Sequence, residues 1–343
     1  MSSDGAVFLF MRDIICIGAS AGGVEALSSV VRGFVPHLRA SVLVVLHIPP
    51  EHPSLLGEIL DRAGPLRAKV ARDGEGFLHS RIYVAPPDHH LIIDGTVLRV
   101  IKGPKENRFR PAIDPLFRSA AEQCAERAIG VLLSGALDDG TAGLWALKRS
   151  GGLAVTQDLT DALFPEMPRN ATRYVEIDHT ATAAAMGALL NDLVAATPPT
   201  IEVPSEVSEL TRIENAYVRQ QLVPRHLMDT IGTLTSLICP MCNGPLWRIK
   251  TGPTRFRCAN GHAFTPTTLI DEHRDRAEHT LSILMTLFDD EVALSEQVLE
   301  TCTDPDLARQ MTRDLQESRR RATALRGLLP AGDAPKPTPH PSP

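Results

Sequence analysis

Aromatic residues are scarce in this chain of 343 residues, where Phe, Trp and Tyr together make up 4%. Two Trp and three Tyr offer little surface for stacking on nucleic-acid bases, and a formal net charge of -6 offers no basic face for phosphates. No apolar run reaches the ~18 residues that a membrane-spanning helix needs. The first ten residues are too short and too uncharged for a secretory signal. We therefore expect a cytoplasmic protein that neither binds nucleic acid nor inserts into a membrane.

Apolar residues make up 43% of the chain, which is ample for a buried core, and the length exceeds that of a typical single domain. Along residues 11–196, short apolar runs alternate with helical stretches, a rhythm typical of a doubly wound, Rossmann-like α/β fold with a mostly parallel sheet. Strands are predicted near 13–17, 41–46, 81–85, 129–134, 153–156 and 174–177. A hairpin is predicted within 88–100, because it contains the turn pair Asp94-Gly95.

A serine stands in a glycine-rich turn directly after the first predicted strand, in the segment GASAGG that begins at Gly18. A sharp strand-to-helix turn needs glycine beside the serine, because a Cβ there would clash with the strand or the helix. The Ser20 hydroxyl is then exposed near a helix N-terminus that can hold an oxyanion. A glycine turn in this place can also cradle a phosphate. The serine in place of the middle glycine of the dinucleotide fingerprint favours a nucleophile.

Two further polar positions follow predicted strands. His47 comes directly after the run 41–46, and the pair Asp138-Asp139 follows the run 129–134. Because parallel strands present their carboxyl ends at one edge of a sheet, Ser20, His47 and one aspartate could converge into a Ser-His-Asp relay. Each position also has an ordinary interpretation, a structural histidine and a turn or helix cap. Strand patterns do not choose between the two aspartates.

Several segments occur in an order that makes the chain recognisable: IGASAGGVEAL, VVLHIPP, IYVAPPDHHLII, RPAIDPLFRSAA, GVLLSGALDDGTAGL, GGLAVTQD and EMPRNA. Over residues 11–196 the chain resembles the catalytic domain of the CheB family of chemotaxis protein-glutamate methylesterases. The resemblance implies that Ser20 is the nucleophile, His47 the base and Asp139 the orienting acid. It implies hydrolysis of methyl esters on glutamate side chains of methyl-accepting chemoreceptors, or of a related signalling protein, with glutamine deamidation as a second activity. Catalysis would need no cofactor.

The sequence departs from the family pattern at three positions. Ala21 follows the nucleophile where a hydroxyl residue is common, Ala136 replaces a usual Met, and Ala112 replaces a common Ser. If the backbone N–H groups at Ala21 and Ala136 hold the oxyanion, the mechanism survives these changes and only the pocket shape is altered. The family usually carries an N-terminal receiver domain, for which the residues before Asp13 leave no room. We therefore expect a receiver-less member.

Cysteine is sparse, yet four potential metal ligands are clustered near the C-terminus. Cys239 and Cys242 form a Cys-x-x-Cys knuckle, and Cys258 and His262 complete a set of three cysteines and one histidine. This spacing favours a structural Zn²⁺ in a ribbon-like module at 236–268, which holds too few apolar residues to fold unaided. A redox pair would need a βαβ setting, and a disulfide is disfavoured in a cytosol.

The rest of the chain is predicted to be mostly helical. We expect a linker at 197–235 with a helix near 206–220, and a helical hairpin at 269–329 made of helices near 267–300 and 305–328. A Pro-rich tail at 330–343 is predicted to be disordered. The hairpin must bury its apolar stripe, so a homodimer through these helices, or a protein partner, is expected.

A second function from a different class fits the same architecture. The chain could be a signalling adaptor with little or no catalysis, acting through its ribbon and C-terminal helices. The simultaneous presence of Ser20, His47 and Asp139 favours the enzyme, because an adaptor has no need of all three.

Overall fold

Residues 11–50, 53–196 and 203–328 are described by the structure, a computed structural model. The chain divides into two compact units, Met1–Leu269 and Ile270–Pro343. The start of the predicted linker, at 197–202, and the predicted tail at 330–343 lie outside the described residues.

The described residues form thirteen strands in three sheets. In chain order the strands are β1 (Ile14–Ala19), β2 (Ser41–Leu46), β3 (Arg67–Val70), β4 (Arg81–Val84), β5 (His90–Asp94), β6 (Val97–Ile101), β7 (Ala128–Leu132), β8 (Leu153–Gln157), β9 (His179–Ala181), β10 (Gly232–Ile238), β11 (Pro245–Ile249), β12 (Phe256–Cys258) and β13 (Ala263–Phe264).

Ten α-helices accompany these strands in the described part of the chain. They are α1 (Gly23–Arg32), α2 (Leu56–Ala63), α3 (Ile113–Gln123), α4 (Thr141–Arg149), α5 (Glu166–Tyr174), α6 (Ala183–Ala195), α7 (Ser205–Val218), α8 (Arg225–Ile231), α9 (Pro266–Thr301) and α10 (Pro305–Arg326).

The main sheet has seven parallel strands in the order β3-β4-β2-β1-β7-β8-β9. Side chains of β1 alternate between its two faces, as the period of a strand requires. Ile15 and Ile17 enter a core with α1, α2 and α6, whereas Ile14 and Cys16 enter a second core with α3, α4 and α5. Helices therefore cover both faces, which confirms the predicted doubly wound α/β fold.

Strand β1 lies where the direction of winding changes. From β1 the chain first builds β2 on one side, and later β7 on the other. In sheets of this kind the crevice beyond the carboxyl ends at such a point is the usual ligand site. The residues that directly follow β1, β2 and β7 therefore face one crevice.

Helices α1 and α6 approach closely at Gly187. A Cβ on Gly187 would lie 2.7 Å from the Cα atom of Gly33 and closer still to the carbonyl oxygen of Val30. We expect Gly187→Ala to lower the free energy of unfolding by about 1–3 kcal/mol, as overpacking does, although Ala favours a helix by ~1 kcal/mol. Urea unfolding measures the change, and an unchanged or raised midpoint would contradict this view of the interface.

The smaller elements largely follow the sequence predictions. Strands β5 and β6 form the hairpin predicted through Asp94 and Gly95, with Asp94 ending β5 and the turn at Gly95 and Thr96. Strands β10 to β13 form an antiparallel sheet, called the ribbon here, over residues 232–264. The predicted linker helix is α7, which packs with α8 around Trp247 of the ribbon.

The second unit contains most of α9 and all of α10. Arg321 of α10 lies over the Phe288 ring of α9, and Ser318 donates a hydrogen bond to Glu291 at 2.6 Å. Leu284 of α9 is 38% exposed, so not every apolar side chain of this pair is buried. None of the described helices is both long enough and apolar enough to span a bilayer.

One predicted strand, at 174–177, is wrong. Helix α5 ends at Tyr174 and the last strand of the sheet is β9. The alternation in Tyr-Val-Glu-Ile imitates a strand, but this segment connects the two elements. Helix α5 is absent from the sequence predictions, and Pro168 is its third residue. A proline in the first turn is tolerated, since the N–H groups there have no acceptor within the helix.

Candidate active site and metal centre

Ser20 lies in a tight turn between β1 and α1. Its N–H donates to the Ser134 carbonyl oxygen at 2.9 Å, which ties the turn to the segment after β7. Gly22 has a φ of 70°, and a Cβ there would lie 2.9 Å from the Ser134 Oγ atom. Glycine is therefore required at this position by both conformation and space. The turn holds the Ser20 hydroxyl at the carboxyl edge of the sheet.

The His47 ring lies between Ser20 and Asp139. Its Nδ1 atom is 3.0 Å from Ser20 Oγ, and its Nε2 atom is 2.8 Å from Asp139 Oδ2. With the proton on Nε2, the neutral ring donates to Asp139 and accepts from the serine hydroxyl, as a general base must. Phe109 stacks on the ring, with centroids 3.6 Å apart and planes 7° from parallel. The ring is thus held on both edges and on one face.

Asp139 is a fully buried acid with several hydrogen-bond donors around it. Oδ2 accepts from the Ile113 N–H at 2.6 Å as well as from His47, and Oδ1 accepts from Asn107 Nδ2 at 2.9 Å. Burial raises the pKa of Asp139, but the hydrogen bond from His47, together with those from Ile113 and Asn107, outweighs it and holds the pKa below its usual value. Asp139 is therefore ionised and can stabilise an imidazolium.

A second buried acid, Asp114, shares a donor with Asp139. It accepts from Asn107 Nδ2 at 2.9 Å and from the Gly143 N–H at 2.6 Å. Burial, followed by the nearby charge of Asp139, raises the pKa of Asp114 to about 8. In this coupled pair the proton resides on Asp114 at neutral pH, so the negative charge is placed on the carboxyl beside His47.

The two adjacent aspartates point to different neighbours. Asp139 contacts His47, whereas Asp138 Oδ1 accepts a hydrogen bond from Thr265 Oγ1 at 2.9 Å. The geometry therefore separates these residues, which strand patterns alone could not do.

Backbone N–H groups at Ala21 and Ala136 face no competing acceptor in the described parts of the chain. Their neighbours are engaged: the Gly135 N–H donates to the Phe164 carbonyl oxygen at 2.9 Å, and the Leu137 N–H donates to Glu166 at 3.0 Å. The Ala21 and Ala136 N–H groups are thus not engaged by a backbone acceptor, as the predicted oxyanion role requires.

A cavity of about 360 Å³ opens over Ser20 and His47. Apart from those two residues, its lining consists of Ile48, Pro49, Pro50, Lys105, Arg108, Phe109 and Arg110. Three of these side chains are cationic, and one of them, Arg110, pairs with Asp88 at 2.6 Å. The remaining wall is largely apolar, so the cavity suits a short aliphatic chain beside a positively charged rim.

The four predicted metal ligands lie together in and beside the ribbon. Ligand atoms of Cys239, Cys242, Cys258 and His262 are all within 4.8 Å of one another, and the sulfurs of Cys242 and Cys258 are 3.7 Å apart. Two thiolates on a tetrahedral zinc ion lie about 3.8 Å apart, given Zn–S bonds of ~2.3 Å. The hydrogen bond between Cys258 and Cys239 lowers the pKa of Cys239 and raises that of Cys258, so without a cation one of the two thiols holds the proton. This cluster could bind a metal ion.

Sequence reasoning missed three residues beside the relay, namely Asn107, Phe109 and Asp114. Asp114 lies in the segment RPAIDPLF, where an acid at a helix start was visible but had no assigned role. Asn107 and Phe109 lie outside every recognised segment. Asn107 adopts a φ of 51°, a backbone conformation that Asn tolerates better than most residues. This preference for turns is the one sequence signal at Asn107, and it does not indicate a role in the relay.

Curated relatives carry one common description. Protein-glutamate methylesterase/protein-glutamine glutaminase 2 of Rhodospirillum rubrum is 33% identical over 164 residues, which are 47% of this chain and 45% of the relative. The protein of that name from Anaeromyxobacter dehalogenans is 35% identical over 201 residues, 58% of this chain and 54% of the relative. The chain thus spans about half the length of these curated relatives.

A solved structure and a family model agree with these relatives. The crystal structure of the Thermotoga maritima CheB methylesterase catalytic domain has a TM-score of 0.52 and 31% sequence identity, and the match covers 53% of this chain and 98% of that one. The CheB methylesterase family model matches residues 15–190, more than half of the chain. These residues carry the serine turn, His47 and Asp139, and the chain belongs to the CheB methylesterase family.

Proposed function

We propose that this protein is a serine esterase that removes methyl esters from glutamate side chains of chemoreceptors or of a related signalling protein, and that it also deamidates glutamine. The observation that carries the proposal is the relay of Ser20 Oγ, His47 and Asp139, with contacts of 3.0 and 2.8 Å at one end of an open cavity. The printed names of the relatives include both activities. Residues 11–196 form the methylesterase domain in this proposal.

The reaction follows from the geometry of the relay. Ser20 Oγ attacks the ester carbonyl carbon while His47 Nδ1 takes the hydroxyl proton, and Asp139 stabilises the resulting imidazolium. His47 then returns the proton to the departing methoxy group, which leaves as methanol. Water attacks the acyl-enzyme with the same assistance and releases the free carboxylate. N–H groups at Ala21 and Ala136 would hold the oxyanion, an effect worth about 10²–10³-fold per donor.

The cavity supports an acidic protein as the substrate class. Lys105, Arg108 and Arg110 line the cavity and would give it a positive potential that attracts a segment rich in carboxylates. The apolar wall formed by Ile48 and the prolines would accept the methylene groups of a glutamyl side chain. Glutamine deamidation needs the same attack, with ammonia as the leaving group.

Two measurements test the proposal. Methanol release from methylated receptor membranes reports the reaction, and a serine-reactive phosphonate followed by peptide mass spectrometry reports the nucleophile. We expect release of methanol and a label on Ser20. Folded protein that neither releases methanol nor labels at Ser20 would instead support the signalling adaptor.

The metal cluster is assigned to structure rather than to catalysis. We infer that Zn²⁺ is bound by Cys239, Cys242, Cys258 and His262, whose soft ligands and tetrahedral spacing suit this ion. Four protein ligands leave no open position for substrate or water, so the ion would stabilise the ribbon.

We further infer a homodimer through the C-terminal helices. Ile283, Leu287 and Leu294 fall on one stripe of α9 and are 47%, 53% and 62% exposed. A second copy of the chain would bury this stripe. We expect light scattering to give the mass of a dimer, and Leu287→Glu with Leu294→Glu to give a monomer. A monomeric wild type, or a dimer that survives both changes, would contradict the inference.

A further inference from the structure

Residues 105–109 form a tight turn, called the 105–109 turn, that touches two members of the relay. It is closed by hydrogen bonds between Glu106 and Phe109, at 3.2 Å and 2.9 Å. From this turn Asn107 donates to Asp139 at 2.9 Å, and Phe109 stacks on the His47 ring. A change in the turn would therefore disturb the acid and the base together.

The other side of the 105–109 turn is paired with the ribbon. The Asn107 N–H donates to the Ala263 carbonyl oxygen at 2.8 Å, and the Ala263 N–H donates to the Lys105 carbonyl oxygen at 3.4 Å. Ala263 begins β13 and directly follows the metal ligand His262. The backbone that carries the orienting amide is thus hydrogen-bonded to the strand that carries a ligand.

A buried carboxylate anchors the turn between α3 and the ribbon. Glu106 accepts two hydrogen bonds from Arg118 of α3, at 2.7 and 2.9 Å, and two from Arg257 of β12, at 3.1 and 3.2 Å. All three side chains are 1% exposed. Arg257 also donates to the Gly261 carbonyl oxygen at 2.8 Å, within the second knuckle. Loss of Arg257 would remove two of the four hydrogen bonds to this buried carboxylate, and with them the bridge between the turn and β12.

We propose that the ribbon supports catalysis. It holds the 105–109 turn in the conformation in which Asn107 orients Asp139. Asn107 and Arg257 are positioning residues in this arrangement, the first acting on the acid and the second on the turn. The proposal rests on the esterase function proposed above. It assigns to residues beyond the family match, which ends at residue 190, a role in the reaction.

Replacement of Asn107 by glycine tests the contact with the acid. Asn107→Gly removes the amide but keeps a residue that accepts the φ of 51° without strain. Asn107 does not line the cavity, so we expect kcat on a small methyl ester to fall about 10–100-fold, as for loss of a supporting hydrogen bond, with KM within about twofold. A kcat equal to that of wild type, or a change confined to KM, would overturn the role of Asn107.

A matched pair of variants on the ribbon tests its contribution. Arg257 bridges Glu106 and Glu214, whereas Arg255, two residues earlier, bonds Glu214 without contacting Glu106. We expect Arg257→Gln to lower kcat about tenfold, Arg257→Lys to recover part of the loss, and Arg255→Gln to keep the wild-type kcat. Zinc content and thermal unfolding are measured for each variant. Equal losses in Arg255→Gln and Arg257→Gln, or no loss in Arg257→Gln, would overturn the proposal.

If Arg257→Gln does not fold, removal of zinc from the wild-type protein with a chelator tests the role of the ribbon instead. Removal of zinc should lower kcat and the rate of phosphonate labelling at Ser20, both restored by Zn²⁺, while the circular dichroism of the α/β sheet is retained. Full activity of zinc-free protein whose ribbon amides exchange rapidly would overturn the proposal. A wild type that never labels at Ser20 would refute the esterase function itself. A labelled wild type with Asn107→Gly labelled at the same rate refutes this inference alone.

Discussion

Replacement of Ser20 by alanine is expected to lower the turnover of a glutamate methyl ester peptide by about 10⁴–10⁶-fold. The hydroxyl 3.0 Å from His47 is the group that would attack the ester, and the backbone donors left in place account for the residual rate. His47→Ala should lose as much, since no other base touches Ser20 in the described residues. Asp139→Asn should cost about 10⁴-fold through the wrong tautomer of His47. Initial rates of methanol release measure all three.

The neighbouring aspartate supplies the control. Asp138→Asn makes the same chemical change one residue away, at a side chain that bonds Thr265 rather than His47. We expect its turnover to stay near that of wild type, and the thermal unfolding of all four variants to confirm that they are folded. Loss of activity in Asp138→Asn with a fully active Asp139→Asn would show that the acid has been misassigned.

The positions of the relay could be predicted because each follows a continuous apolar run. Such runs mark buried parallel strands, so the residues after β1, β2 and β7 had to lie at one edge of the sheet. The set of four metal ligands was predictable for a similar reason, because each pair of ligands lies within a few residues of sequence. In both cases a short sequence pattern determines the local backbone, and the strand order then brings the patterned segments together.

The support around the relay could not be predicted, because its contacts join distant segments without a local pattern. Glu106 and Arg257 are separated by 151 positions, and nothing in their immediate neighbours marks either as buried. Charged residues are rarely buried, so composition alone would place both on the surface. Asn107 is similar, since its amide acquires a role only where the 105–109 turn lies against Asp139 and β13. The sequence therefore predicts the reacting groups better than the groups that orient them.

Loss of the metal is expected to unfold the ribbon and to spare the sheet. The apolar cluster around the ligands is small and includes two of them, Cys239 and Cys258. Zinc binding in such modules supplies about 10–16 kcal/mol, which is then folding free energy. We expect one Zn²⁺ per chain in freshly purified, reduced protein, and none in Cys258→Ser. Elemental analysis measures both, and wild-type protein without zinc would remove the idea.

Hydrogen exchange locates the consequence, and a second cysteine serves as the control. In Cys258→Ser the amides of β10 to β13 should exchange rapidly, whereas those of β1, β2 and β7 should stay protected, because their two cores consist of residues 14–194. Cys302→Ser makes the same change at a half-buried cysteine outside the ligand cluster and should keep both the ion and the protection.

Rapid exchange at Lys105 to Phe109 in Cys258→Ser is expected as well, since Glu106 would lose its hydrogen bonds from Arg257 and Asn107 would lose its hydrogen bond to Ala263. Ribbon amides as protected in Cys258→Ser as in Cys302→Ser would mean that packing, and not the metal, holds this sheet together.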